Sequence, residues 1–211
     1  MEEVKQKLAD IQEIRSMMED QVRFVSLSGL SGVGAGVVAL LGASGTYLYL
    51  DSIGLFPPPS LGRFVRIAPE ELGVLIGIAS LIFVCALVVA FFFSFRKARK
   101  MGINFNSKSA HRSGVNLMIP LAVGALVCIR LAQLGLPGLV APATLIFYGL
   151  ALVNSSKFTF PEIRYLGICE IILGLVSTWM IGQGFWFWIV GFGFLHILYG
   201  IIMYVKYDRN A

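Results

Sequence analysis

The sequence predicts an all-α fold, a bundle of six transmembrane helices with both termini cytoplasmic and an amphipathic helix ahead of the first span. Two features of composition lead to this prediction. Of the 211 residues, 57% are hydrophobic and only 14% are charged, whereas a soluble domain is roughly half apolar and a quarter charged. The apolar residues also form separate runs, each long enough to cross a hydrocarbon core of about 30 Å. The fold class is therefore that of a polytopic membrane protein.

Charged or proline-containing segments separate the runs and set the span boundaries. The six predicted spans cover residues 26–50, 72–95, 115–134, 137–153, 163–181 and 185–205. Residues 206–211 form a predicted cytoplasmic tail. The fourth span is the shortest, and Pro137 and Pro142 suit its beginning. Without it the last two spans would be inverted, and Lys206 and Arg209 would lie outside.

The orientation follows from a basic segment between the second and third spans. This segment contains no acidic residue, and positively charged loops stay in the cytoplasm. Its six bases, which we predict to contact anionic lipid or another anion, are Arg96, Lys97, Arg99, Lys100, Lys108 and Arg112. Among the 17 lysines and arginines, Arg63 and Arg66 alone fall in a predicted outer loop. Both termini are then cytoplasmic.

Residues 1–24 predict a cytoplasmic amphipathic helix with a heptad seam. The seam follows alternating spacings of four and three, as in a coiled coil, with Arg15 as its single charged interruption. Its apolar positions are Val4, Leu8, Ile11, Met18, Val22 and Val25. Helices that lie on an anionic membrane surface are usually basic, and this segment is acidic overall. We therefore expect residues 1–24 to bind protein. The alternatives are a second copy of the chain, another cytoplasmic protein, and the chain's own basic segment.

Small residues line one face at the start of the first span. Ser28, Gly32 and Gly36 recur every fourth position, a spacing that allows helix backbones to approach closely in a membrane. We interpret this face as a helix-packing surface. It is not a phosphate-binding loop, because no strand precedes the glycines.

Glu170 and His196 are the candidate ligand or proton site. Each lies 13 positions from Gln183, in the tight turn between the last two spans. At about 1.5 Å per residue both lie roughly 20 Å from that turn, at the same depth. Titratable groups inside a membrane are costly and usually functional. The pair suits a proton or ligand site, and the alternative is a structural hydrogen bond that locks the last two spans together.

Two further polar residues lie within the predicted spans. Asn116 is near the inner end of the third span, and Arg130 is near its outer end. Arg130 is about 7 Å deep by helix rise, so its side chain can reach the outer headgroups. The alternative is a contact with an anion inside a pore.

No catalytic or metal-binding motif accompanies these residues. Cys85, Cys128 and Cys169 all lie in apolar runs and form no CxxC pair, as zinc sites and redox motifs would require. We predict no catalytic residues, no metal and no cofactor. A haem site would need an axial ligand besides His196, the one histidine within the spans. The net charge of +5 follows from topology and indicates no nucleic-acid partner.

Two terminal stretches resemble an uncharacterised family of small polytopic inner-membrane proteins from Bacteroidetes-type bacteria. They are EIRSMMEDQVRFVSLSGLSGVGAG, from Glu13 to Gly36, and IRYLGICEIILGLV with GFGFLHILYGIIMYVKY near the end. These stretches cover about a third of the chain. The resemblance implies a bacterial inner membrane and a multi-pass topology, but it implies no activity.

Three functional interpretations follow from the sequence. The first is a small transporter or a membrane sensor with Glu170 and His196 at its polar centre. The second is a scaffolding membrane protein that oligomerises through residues 1–24 and the small-residue face of the first span. The third is a redox subunit that binds haem or quinone. An enzyme has no motif to support it.

Overall fold

The computed structural model describes residues 27–54, 68–102 and 108–209, together with Gln6. The predicted heptad helix of residues 1–24 lies outside this range, as does most of the predicted outer loop between the first two spans.

Six helical elements make up the described chain. The first five are α1 (Gly29–Ser52), α2 (Pro69–Lys100), α3 (Lys108–Gln133), α4 (Val140–Ser155) and α5 (Pro161–Trp179). Short 3-10 turns, Pro137–Leu139 and Ser156–Phe158, flank α4. The last helix, α6 (Gly184–Asp208), alternates between two geometries. Its α-helical parts are Gly184–Trp188 and His196–Met203, and its π-helical parts are Ile189–Leu195 and Tyr204–Asp208.

Five of these elements are long and apolar enough to cross a membrane. They are α1, α2, α3, α6 and the unit Pro137–Phe158 that contains α4. The helix α5 has 19 residues and carries three charged residues, Glu162, Arg164 and Glu170, which lower its hydropathy. The chain is thus an all-α protein with the features of a multi-pass membrane protein. The count of six spans and the cytoplasmic termini stay predictions.

Two boundaries differ from those expected from the sequence. The basic segment is largely helical: Arg96 to Lys100 belong to the last turns of α2, and Lys108 begins α3. Basic side chains at a helix C-terminus interact favourably with the helix dipole, so the charges extend α2 instead of ending it. Likewise, Lys206 to Asp208 continue α6 and do not form a separate tail.

The helices pack as two groups of three that meet along α6. In the first group α1 packs against both α2 and α6, and in the second α4 packs against both α3 and α5. The helix α6 contacts α4 and α5 as well. We call the end of the bundle with the α5–α6 turn, residues 180–183, the turn end. The opposite end, where α6 finishes at Asp208, is the tail end.

Small residues allow α1 and α6 to touch backbone to backbone. A Cβ added to Gly200 of α6 would lie 2.5 Å from the Val33 nitrogen and 2.8 Å from the Gly29 carbonyl oxygen. On α1, a Cβ on Gly32 would lie 3.0 Å from the Gly200 Cα, and one on Gly36 would lie 2.8 Å from the Gly193 oxygen. The small-residue face that the sequence predicts therefore faces α6 of the same chain.

Large apolar side chains cover the outside of the bundle. Leu41 on α1, Val88 on α2 and Leu126 on α3 are 69%, 61% and 70% exposed, respectively. Exposed apolar surface on this scale marks contact with lipid or with another protein. Together with five long apolar helices, it indicates contact with a lipid bilayer.

Candidate functional site

Glu170 lies in the interior of the bundle, where α5 meets α6. Its exposed fraction is 0%. The side chain lies directly against Gly191 of α6, where an added Cβ would collide with Glu170 Oε2 and with Leu145 of α4. Neither carboxyl oxygen has a hydrogen-bond partner among the residues that the structure describes. An isolated charge in such surroundings is very costly, so Glu170 either keeps its proton or faces a group that can carry the opposite charge.

His196 of α6 is that group. Its Nδ1 lies 3.5 Å from Glu170 Oε1, and the ring is 5% exposed. Counting along the chain predicts only that the two side chains lie at the same depth. In the structure they also face each other. The same Nδ1 lies 3.0 Å from the Gly191 carbonyl oxygen. Because a carbonyl can only accept, Nδ1 carries a hydrogen and donates it to Gly191.

Tyr148 of α4 completes the site. Its hydroxyl lies 2.7 Å from His196 Nε2. When the imidazole is neutral, Tyr148 donates to Nε2; when it is protonated, Nε2 donates to the tyrosine oxygen. Tyr148, Glu170 and His196, which we call the polar centre, thus join α4, α5 and α6 across the line where the two helix groups meet.

A π-helical segment shapes the wall opposite Glu170. Residues Ile189–Leu195 form this segment, and His196 follows it directly. Its Gly191 has no side chain, which leaves the space that the Glu170 carboxyl fills. Single-turn π-helical segments inside helices occur frequently at functional sites. Here the segment supplies both the space for the carboxyl and the carbonyl that orients His196.

Aromatic rings enclose the polar centre towards the turn end. The Phe192 ring lies 4.9 Å from that of Tyr148 and 5.8 Å from that of His196, between ring centroids. Trp188 lies one turn further along α6, 4.8 Å from Phe192. This ring series connects the polar centre to an indole, so tryptophan fluorescence can report movement there.

The polar centre can hold one proton in two arrangements of equal net charge. In one, Glu170 is protonated and His196 is neutral; in the other, a carboxylate faces an imidazolium. Both arrangements are neutral overall, whereas losing that proton or gaining a second leaves an uncompensated buried charge. The free energy of adding or removing a proton therefore depends on how well this site is shielded from water.

Removing the Tyr148 hydroxyl is expected to weaken the contact between α4 and α6. Tyr148→Phe leaves His196 Nε2 unpaired, and interhelical hydrogen bonds in membranes average about 0.6 kcal/mol with a maximum of about 1.7 kcal/mol. Unfolding in detergent should detect a loss in this range. Tyr165→Phe is the control, because Tyr165 is 60% exposed. Equal stability of the two variants would contradict the assigned bond.

Both imidazole nitrogens are engaged, by Tyr148 and by Gly191. To bind haem iron, His196 would have to give up its hydrogen bond to Tyr148, because Nδ1 carries the hydrogen donated to Gly191. Among the described residues, no group of three His, Cys, Asp or Glu side chains is placed to hold a metal ion.

The other two intramembrane polar residues lie away from the polar centre. Arg130 is exposed, and its Nη1 lies 3.5 Å from Gln133 Oε1 near the end of α3. Asn116 donates to the Arg112 carbonyl, and its own carbonyl accepts from Asn154 of α4. The structure thus places Arg130 at the surface, where its side chain can reach the headgroups, and Asn116 in the contact between α3 and α4.

Lys97 departs from the expectation of a lipid contact. It is buried, and its Nζ lies 2.7 Å from Asp208 Oδ1 and 3.0 Å from the Leu27 carbonyl oxygen. The other Asp208 oxygen accepts from Ser28 Oγ and from the Gly29 N–H, both at 2.8 Å. Asp208 therefore caps the N-terminus of α1, a favourable place for a carboxylate.

The nearby bases Arg96 and Arg99, unlike Lys97, are exposed.

A second ion pair holds α6 to α5 at the tail end. Lys206 and the Tyr207 hydroxyl both donate to the Glu162 carboxylate. Burial alone would raise the pKa of Glu162, but hydrogen bonds from Lys206, from its own backbone and from Tyr207 hold the pKa below its usual value. The tail end is thus closed by two ion pairs, one to α2 and one to α5.

Glu162→Gln is expected to remove an acid-sensitive part of the stability. A lowered folded-state pKa means that the unfolded chain binds more protons, so stability rises with pH in that range. The contribution of Glu162 to stability is complete above the usual glutamate pKa of about 4.3. It is lost as the pH falls through the lower pKa that Glu162 has in the folded protein. Thermal unfolding measured against pH should show this loss in the wild type and in Glu70→Gln, whose residue is exposed. An equally steep acid loss in Glu162→Gln would refute the assignment.

Sequence reasoning missed Tyr148, Gly191 and Asp208. A tyrosine in the middle of an otherwise apolar span was a usable signal, because a buried hydroxyl needs a partner. Gly191 and Asp208 gave no such signal: a glycine in an apolar run and an acid near a basic residue are both common.

These contacts define a class, a helical multi-pass membrane protein with a buried glutamate–histidine pair at the junction of its two helix groups. No family model, no curated protein and no solved structure matches the chain. The family resemblance of the two terminal stretches therefore stays a prediction.

Proposed function

We propose that this protein is a small proton-coupled transporter of a bacterial inner membrane, in which the polar centre binds and releases the coupling proton. One observation carries the proposal: Glu170 is fully buried, has no hydrogen bond to either oxygen from any described residue, and faces an imidazole at 3.5 Å. A structural lock would be expected to hydrogen-bond the carboxylate. Ionisable residues inside membrane bundles mark ion and proton pathways.

The position of the polar centre favours transport over sensing. It lies where α6, which packs on α1, meets α4 and α5. Many transporters bind their coupling ion between two helix groups that move against each other. A change in the protonation of Glu170 or His196 changes the charge at this junction, and so it changes the free energy of holding the two groups together.

The proposed orientation places the tail end in the cytoplasm. That end holds the basic residues at the end of α2 and the start of α3, and positive segments remain inside. The polar centre then lies about 10 Å above the cytoplasmic boundary of a core of about 30 Å. The exposed bases Arg96 and Arg99 are the proposed contacts with anionic lipid.

The scaffolding alternative receives less support. The small-residue face of α1 is covered by α6 of the same chain, since Gly32 and Gly36 lie against Gly200 and Gly193. This face is therefore not available to a second copy. The other surface of this interpretation, residues 1–24, lies outside the described range apart from Gln6.

A proton titration in lipid vesicles tests the proposal. Infrared difference spectra recorded against pH should contain a carboxyl band that disappears in Glu170→Gln and persists in Glu70→Gln. Spin labels on exposed Val74 of α2 and on exposed Leu134, the residue after α3, measure the separation of the two helix groups in a variant without Cys85, Cys128 and Cys169. We expect their distance distribution to change with pH in this background and to stay fixed when Glu170→Gln is added.

Two results would count against the proposal. The first is a carboxyl band of Glu170 that does not respond to pH, and the second is a label distance that follows pH equally with and without Glu170→Gln. If the distance responds but no solute in a panel drives proton movement across the vesicle membrane, the polar centre serves a sensor instead.

A further inference from the structure

Ser177 is a second buried polar group on the face of α5 that carries Glu170. It lies seven residues further towards the turn end, about 10 Å along the helix. Its exposed fraction is 0%, although it is only two residues from the end of α5 at Trp179. Its hydroxyl has no hydrogen-bond partner within the described part of the chain.

Hydroxyls on α1, α4 and α5 bond to the backbone of their own helix. Thr46 donates to the Gly42 carbonyl, Thr144 to the Ala141 carbonyl, and the neighbouring Thr178 to the Leu175 carbonyl. Such back-bonding is the ordinary way in which a membrane helix satisfies a serine or threonine. Ser177 does not follow it, so its hydroxyl stays available to a partner in another state of the protein.

Towards the tail end, Cys169 Sγ and the Tyr199 hydroxyl already lie 3.8 Å apart, and among the described residues of α5 and α6 no other buried hydroxyl on that side is without a partner. Ile163, Leu166 and Met203 are buried there and pack in one apolar cluster. Beyond them the Glu162 carboxylate is held by Lys206 and Tyr207. A proton needs water or polar side chains to travel, and beyond Cys169 and Tyr199 the tail side is closed by this apolar cluster and then by the ion pair.

We propose that the proton exchanged by Glu170 enters and leaves at the turn end through Ser177. This inference rests on the proposed function. Water enters between α5 and α6 when the helix groups separate there. Ser177 Oγ accepts a proton from one water and releases its own to a chain of further waters, which spans the remaining distance of about 10 Å and protonates Glu170. One proton moves and the serine is unchanged.

The titratable groups that face Glu170 are His196 on α6 and Tyr148 on α4. On α5 itself, Cys169 lies 3.8 Å from the Tyr199 hydroxyl of α6.

The test measures how fast the Glu170 carboxyl exchanges its hydrogen after vesicles containing the full chain are mixed with deuterated water. Ser177→Ala should slow this exchange about a hundredfold or more, because a positioned proton-transfer group speeds such steps by about 10²–10⁴-fold. Ser177→Thr, which keeps the hydroxyl, should restore the rate. Ser94→Ala is the matched control, because Ser94 is also buried and unpartnered but lies on α2.

A purely structural role predicts the opposite pattern. Removing an unpartnered buried hydroxyl should leave the protein at least as stable, so Ser177→Ala should fold, and unfolding in detergent verifies this. If its exchange is as fast as in the wild type, the route through Ser177 is wrong while the proton site stands. If the carboxyl band of the wild type does not respond to pH at all, the proposed function itself fails.

Discussion

Gly200→Leu is expected to prevent α1 from packing against α6 and to leave little folded protein. The leucine side chain would have to enter space already filled by backbone, since a Cβ at this position lies 2.5 Å from the Val33 nitrogen and 2.9 Å from the Gly32 carbonyl carbon. Overpacking typically costs about 1–3 kcal/mol when side chains can move aside. Backbone atoms cannot move aside without separating the helices, so the loss should exceed that range. Yield of monodisperse protein and unfolding in detergent measure it.

Gly77→Ala is the matched control for this substitution. Gly77 lies inside α2, and a Cβ there meets nothing within 4 Å. Alanine is favoured over glycine inside a helix by about 1 kcal/mol, so this variant should be as stable as the wild type or slightly more so. Wild-type stability in Gly200→Leu would show that α1 and α6 do not approach as closely as described.

Lys97→Met is expected to cause the second large loss of stability. It leaves the buried Asp208 carboxylate without its ammonium partner, and removing one member of a buried ion pair costs about 3–5 kcal/mol. The remaining donors, Ser28 Oγ and the Gly29 N–H, lower this cost but do not supply the charge. Thermal or denaturant unfolding in detergent should therefore give a much lower midpoint than in the wild type.

Two comparisons separate the ion pair from a general effect of lost charge. Arg96→Met removes a positive charge one residue away, from an exposed position, and should change stability little. Adding Asp208→Asn to Lys97→Met removes the unpaired charge and should recover much of the loss. A double variant as unstable as the single one would mean that Lys97 contributes through packing over Phe160, whose ring centre is 5.2 Å away.

The fold class and the depth of the polar centre could be predicted from the sequence, because both depend on counting residues along the chain. Apolar runs identify spans, and equal distances from Gln183 place Glu170 and His196 at one level. Counting cannot supply the rotation of a helix about its axis, which brings Tyr148 to His196. The π-helical segment of α6 adds to this difficulty, because it changes the rotation about the helix axis from one residue to the next. No sequence pattern predicts it.

Lys97 illustrates a different limit. Topology rules treat all bases between two spans alike, and they assigned Lys97 to the lipid surface together with Arg96 and Arg99. What distinguishes it is a partner 111 positions later, Asp208, and a pairing over such a distance follows only from the assembled bundle. Similarly, α2 and α3 extend into the basic segment beyond their predicted spans, because charged residues continue each helix past the apolar core.

The cap on α1 has a consequence for the order in which the protein assembles. Ser28 and Gly29 begin the first span, yet the carboxylate that satisfies them is 180 positions further along the chain. During synthesis, α1 and α2 enter the bilayer long before Asp208 emerges from the ribosome, and helices pack after they have been inserted. Before α6 is in place, Ser28 can already accept from the Leu30 N–H, but the Gly29 N–H lacks its acceptor and Lys97 lacks its carboxylate partner. The packing of α1 against α2 is therefore completed by the last helix of the bundle.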